Sequence, residues 1–177
     1  MSTTPAYFAK INNGTVNAIF RFTANDAGNV TAIFQINGGL TNQTHEYTYH
    51  IHEKQLQVAD CITAGAHFNP TNASFGTPSY PKSPSENWAL FEVGDLSGKY
   101  GTFKGTPDGR FPGRNATDPT LSLNPSSPNS IVGRSIVIHG TNGTRIGCAN
   151  ILPKSDGARL GWSLVTVASA VAAVFLL

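Results

Sequence analysis

Apolar and polar residues alternate in short runs over the early part of the chain: Ala6 to Ile11, Val16 to Thr23, Val30 to Ile36 and Tyr47 to His52. Phe20 and Phe22 flank Arg21, and Phe34 and Ile36 flank Gln35. Asn-Gly, Asp-Ala-Gly and Gly-Gly turn signals separate the runs, so the pattern predicts antiparallel hairpins with one face inward. From Asp60 to Trp88 the alternation is lost, and Pro70, Pro78, Pro81 and Pro84 forbid regular pairing. A loop that long inside a compact domain is usually functional. Strand-like patterning resumes over Lys99 to Lys104, Thr120 to Leu123, Ile131 to His139 and Arg145 to Ile151. No window before Leu160 offers a helical stripe, and there is no internal repeat. The sum is about eight strands, which predicts an all-β chain, closed or sandwiched.

The pattern changes again at the end. Leu160 to Leu177 carries no charge and follows a polar stretch with Lys154, Asp156 and Arg159. Nothing basic follows the apolar run, so it reads as a glycosylphosphatidylinositol attachment signal, with Asn150 or Ser155, Asp156 and Gly157 as attachment sites and a tail-anchored helix as the alternative. The chain then divides into a domain over 1–153, a polar spacer over 154–159 and a hydrophobic tail over 160–177. Met1 to Gly14 has neither a basic n-region nor an apolar h-region, which points to a start truncated ahead of the leader; a cytosolic protein is the alternative.

At 177 residues, one domain is expected. Net charge is +2 and the basic residues are scattered, which gives a nucleic-acid partner no support. Six Asn-x-Ser/Thr sequons, at Asn13, Asn29, Asn42, Asn72, Asn115 and Asn142, favour the secretory path and a glycoprotein. The two cysteines form no CxxC pair, which argues for one structural disulfide in an oxidising compartment. No apolar surface strand demands a dimer, so a monomer is expected.

Histidines bring the chemistry. His50 and His52 are one residue apart in a predicted strand, so their side chains leave the same face. His67 comes from the irregular loop, and His139 ends the apolar run Ile136-Val137-Ile138. An all-imidazole set suits copper, while zinc bound by three histidines competes on spacing alone. His45 has no ligand spacing to a partner and reads as a surface residue.

Several runs together resemble the copper/zinc superoxide dismutase family: Tyr49-His50-Ile51-His52-Glu53, Asp60-Cys61, Gly65-Ala66-His67-Phe68-Asn69-Pro70, Val93-Gly94-Asp95-Leu96, Val132-Gly133-Arg134-Ser135-Ile136-Val137-Ile138-His139 and Arg145-Ile146-Gly147-Cys148. The likeness is collinear from Ala6 to Ile151. It implies an eight-stranded antiparallel Greek-key β-barrel or sandwich, with His50, His52, His67 and His139 as ligands of one copper ion. It also implies a Cys61–Cys148 disulfide and Arg145 as the residue guiding an anion to the metal.

The departures from that family are equally informative. Where zinc-binding histidines would fall stand Phe75 and Glu92, and only Asp95 remains of the zinc set. Such a site is poor for zinc, so zinc is expected to be absent. Between His139 and Arg145 lie only Gly140, Thr141, Asn142, Gly143 and Thr144, where zinc-containing members have a long loop. Both losses resemble the extracellular copper-only dismutases of fungi. By that resemblance Glu92 and Asp95 hold the second nitrogen of His67. The reaction implied is conversion of superoxide to dioxygen and hydrogen peroxide at the cell surface or wall, with Arg145 orienting the anion and His67 delivering a proton. The alternative is a non-catalytic copper-binding wall protein; the single Met argues against a copper chaperone.

Overall fold

The β1–β2 hairpin sets the frame. β1 (Ala6–Asn13) pairs with β2 (Val16–Ala24) in register from Ala6↔Thr23 to Asn13↔Val16, turning on Gly14 at φ 60°. β3 (Val30–Gly38) continues the meander, and the inward set Val16, Ala18, Phe20, Phe22, Val30, Ala32, Phe34 and Ile36 is buried. The computed structural model describes residues 5–82 and 87–154. The apolar run over 160–177, most of the spacer and Pro84 lie outside the described residues.

Two antiparallel sheets carry the core between them. The first orders as β6-β3-β2-β1-β9 and the second as β5-β4-β7-β8, where β4 is Glu46–His52, β5 Phe103–Lys104, β6 Phe111–Asp118, β7 Ser135–His139, β8 Arg145–Asn150 and β9 Leu152–Pro153. No ladder joins the two sheets among the described residues, so the architecture is a sandwich, within the all-β class the alternation predicts. Tyr49 lies between the sheets, with ring contacts to Phe20, Phe34 and Phe103.

Three expectations differ from what folds. Lys99 to Lys104 is a five-residue helix α1 (Leu96–Tyr100) followed by the short β5, because Asp95 caps the turn by accepting from Gly98 N–H at 2.7 Å. Thr120 to Leu123 forms only an isolated bridge, Ser122 to Ser130. Phe111–Asp118 is a strand the pattern does not announce, since Pro112 and Gly113 interrupt it; it is an edge strand, where a missing N–H is tolerated.

The second sheet positions the chemistry. Register partners Thr48↔His139, His50↔Val137 and His52↔Ser135 share one face, so β4 and β7 present three imidazoles together on the side away from Tyr49, Ile51, Ile136 and Ile138. β8 adds Cys148 opposite Val137 and, past a bulge, Arg145 opposite His139. Gly94 passes so close to β4 that a Cβ there would lie 2.3 Å from Ile51 O. Only glycine lets Ile51 N–H donate to Gly94 O, and Gly94 N–H to Phe68 O, both at 2.8 Å, pinning the irregular loop against the strand.

Candidate metal centre

His67 joins the three strand histidines through a bridge to His52, reinforced by Phe68 N–H donating to Ile51 O at 2.9 Å. One nitrogen from each of His50, His52, His67 and His139 then lies within 4.8 Å of the others. His45 packs edge-on against Tyr47 and is not in this group.

Outer contacts fix the tautomers. His52 Nδ1 lies 3.0 Å from Gly65 O, and His139 Nδ1 lies 3.1 Å from Gly143 O. A carbonyl only accepts, so both Nδ1 atoms carry hydrogen and both Nε2 atoms present lone pairs. Those two Nε2 atoms are 3.3 Å apart. His67 Nδ1 donates to Glu92 Oε2 at 2.7 Å. His50 Nε2 is 3.1 Å from Ser97 Oγ and 3.4 Å from Asp95 Oδ1, while its Nδ1 is buried without a partner. Four inward lone pairs, one of them orphaned and two opposed, are unfavourable until a cation stands among them. The donor set therefore fits a metal ion, and four nitrogens suit copper.

Burial keeps His50, His52 and His139 neutral, as ligands must be. It lowers His52 to about 3 and His139 to about 4, with the Arg145 charge acting the same way, and it lowers His50 too. For Asp95, burial pushes upward. Hydrogen bonds from His50, Tyr80 and Gly98 N–H outweigh it, leaving the carboxyl at about 2.

Arg145 is held by three carbonyls: its Nη1 donates to Cys61 O at 2.7 Å and Ile62 O at 3.2 Å, and its Nη2 to Gly65 O at 2.7 Å. Gly65 O thus serves both His52 and Arg145. The Cys61–Cys148 disulfide ties that loop to β8.

The structure separates the two acids that the resemblance puts together. Glu92 reaches His67; Asp95 does not, and serves His50 instead. The reason is local: as the cap of α1, Asp95 turns Oδ1 toward Gly98 N–H, Ser97 and His50, and Oδ2 toward Tyr80. Ser97, Tyr80 and the two carbonyls are supports that sequence reasoning misses. Ser97 had a signal, two residues beyond Asp95; the carbonyls leave none. Phe75, half-exposed, meets the His67 ring edge-on with centroids 5.2 Å apart.

Among the sequons, Asn42, Asn72, Asn115 and Asn142 are exposed and Asn29 is half-buried. The Asn13 carboxamide is engaged, donating to Cys148 O and accepting from Cys148 N–H, each at 3.4 Å.

Residues 14–151 match the family described as copper/zinc superoxide dismutase. The chain is 34% identical over 155 residues to the Candida albicans protein named cell surface Cu-only superoxide dismutase 5, covering 86% of this chain and 61% of that protein. It is also 34% identical over 158 residues to the same organism's cell surface superoxide dismutase [Cu-Zn] 4, covering 86% and 60%. The chain thus spans about three fifths of the length of these relatives. The solved Cu(II) structure of Candida albicans superoxide dismutase 5 superposes with a TM-score of 0.73 at 31% identity, covering 88% of this chain and 95% of that one.

Proposed function

The chain belongs to the copper/zinc superoxide dismutase family, and from that membership we propose that it is a copper-only superoxide dismutase. The observation that carries the reading is the set of four imidazoles whose outer nitrogens are spoken for or whose inner one is orphaned, beside a guanidinium held by three carbonyls. A copper ion bound there would supply the one-electron chemistry, between Cu(II) and Cu(I), that turns superoxide into dioxygen and hydrogen peroxide.

The chain's own residues do the rest. Arg145 attracts and orients the anion, its planar fork fixed in advance so that little order is lost on binding. His67 holds its Nδ1 hydrogen toward Glu92, which leaves Nε2 as the nitrogen that would hold the ion or, when released from it, take up a proton from water and deliver it. His50, His52 and His139 keep their inner nitrogens unprotonated because burial disfavours the imidazolium.

Two contacts support copper without zinc. His67 Nδ1 is bonded to Glu92, and Phe75 stands where the resemblance would want a histidine. Relatives named for the cell surface support an extracellular place. With it we assign the domain to 1–153, the spacer to 154–159, a lipid-anchor signal to 160–177, a monomeric state and glycosylation at the exposed sequons.

Metal analysis of the purified protein with an assay of superoxide loss tests this reading. About one copper with negligible zinc and fast turnover is expected; stoichiometric zinc would sink the copper-only part. A copper-loaded, inactive protein would favour the non-catalytic copper-binding alternative. Arg145→Ala is expected to slow turnover about 10- to 1,000-fold, the range that electrostatic guidance supplies, with copper content unchanged.

A further inference from the structure

Tyr80 sits in the segment Pro78-Ser79-Tyr80-Pro81, where two prolines restrict the backbone and present the side chain on a stiff support. Its hydroxyl makes two bonds of opposite sense. It donates to Asp95 Oδ2 at 2.7 Å and accepts from Glu92 N–H at 3.0 Å. Asp95 is the acid under His50, and Glu92 is the residue whose side chain holds His67. One phenol therefore touches both acids that support His50 and His67.

The surroundings make this contact specific. Asp95 is almost wholly buried, and its Oδ1 is occupied by Gly98 N–H, Ser97 and His50, so that among the described residues the donor to Oδ2 is Tyr80. A buried carboxylate oxygen without a donor is costly, and its natural response is to rotate toward another one. Any such rotation moves Oδ1 away from His50. On the other side, the Glu92 amide is anchored by an oxygen it would otherwise lack, which sets where the Glu92 side chain starts. The ring adds its own brace: it meets Phe91 edge-on at 5.6 Å and Phe75 at 5.1 Å, and Phe75 in turn meets His67.

We propose that Tyr80 is a positioning residue of the metal centre, its hydroxyl locking Asp95 and Glu92 in one geometry so that His50 and His67 are oriented together. Burial, with the bond and charge of Asp95, holds the phenol protonated at any working pH, so the donor is permanent. The proposal rests on the copper reading of the four-histidine site. It adds a residue that touches neither substrate nor metal.

Tyr80→Phe removes the hydroxyl and keeps the ring. Three measurements on the copper-loaded protein test it: copper affinity by chelator competition, the Cu(II) electron paramagnetic resonance spectrum, and the same pair in an Asp95→Asn background. Loss of an outer support of a ligating histidine typically costs 10- to 100-fold in affinity or activity. We expect about tenfold weaker copper binding and altered Cu(II) parameters in Tyr80→Phe, with a clearly smaller further change when Asp95 is already Asn, because the bond to Asp95 is then already disrupted and only the one from Glu92 N–H remains to be lost. Wild-type affinity and an unchanged spectrum in Tyr80→Phe would overturn the proposal, leaving the ring as packing alone. Fully multiplicative losses in the double variant would overturn it as well. A wild-type protein that binds copper and does not consume superoxide would sink the dismutase reading alone, since neither affinity nor spectrum requires turnover.

Discussion

The four histidines divide into two pairs by what holds them. His52 and His139 lean on backbone carbonyls, Gly65 O and Gly143 O, whereas His50 and His67 lean on the side chains of Ser97, Asp95 and Glu92. A carbonyl is fixed by the chain path and needs no side chain of its own to hold it. A carboxylate has rotamers of its own and needs supports in turn, here α1, Tyr80 and the pinned Gly94. The first pair is thus as rigid as the sheet, and the second is only as rigid as the elements packed outside it. One half of the cage is built by the fold and the other by particular residues.

The strongest way to break that contrast is to unseat α1, which carries Ser97 and follows Asp95. Its anchor is Lys99, fully buried, whose Nζ donates to Asp118 Oδ2 at 2.7 Å, Val93 O at 2.9 Å and Thr120 Oγ1 at 3.0 Å. Tyr100 donates to the same Asp118 oxygen. Removing one partner of a buried pair strands the other charge at about 3–5 kcal/mol. Lys99→Met is expected to lower stability by that amount in chemical denaturation, and Lys99→Met with Asp118→Leu to recover only part of it, because Tyr100 and Thr120 also donate to Asp118. The surviving fraction of folded protein should show weakened support of His50 first. An unchanged midpoint would mean that α1 is held by apolar packing alone.

The same contrast explains what was readable beforehand. Phe20, Phe22, Phe34 and Ile36 alternate cleanly because one face of each strand meets the core, so β1 to β4 are legible residue by residue. β6 is not, because an edge strand next to solvent tolerates Pro112 and Gly113. α1 is too short for a periodic stripe, and no spacing in the sequence pairs Lys99 with Asp118. At the site, His50-x-His52 announces a shared face. Which histidine Asp95 serves depends on the capping geometry of a five-residue helix, and no spacing encodes that. Gly65 and Gly143 support their histidines through atoms every residue has, so they leave no mark.

Acid sharpens the comparison from the backbone-held side. His52 and His139 are lowered from 6.5 to about 3 and about 4 by burial. The unfolded chain therefore takes up protons first as pH falls, so their contribution to stability is complete above about 6.5 and is lost on descent toward the folded values. For the metal-free protein, the share of these two in the loss between pH 7 and pH 5 is expected to reach about 4 kcal/mol, near 2 kcal/mol for each, and His50, also lowered by burial, adds to it. Denaturation midpoints across that window measure it. A flat profile would show that neither imidazole resists protonation in the fold.

The side-chain-held pair differs internally, and that difference is the finest test. His67 has one outer acceptor, Glu92 Oε2 at 2.7 Å, whereas His50 has two, Ser97 Oγ and Asp95 Oδ1. Glu92→Ala leaves the His67 Nδ1 hydrogen without its carboxylate and the ring free to turn, so copper affinity or turnover should fall about 10- to 100-fold. Glu92→Gln keeps an acceptor and should restore part of it. Ser97→Ala leaves Asp95 in place on His50, so the loss should be that of one neutral hydrogen bond, about 0.5–1.5 kcal/mol. Chelator competition on the three variants ranks them directly. If Ser97→Ala proved as damaging as Glu92→Ala, then Asp95 at 3.4 Å would be too far to hold His50 alone, and both histidines would hang on single contacts.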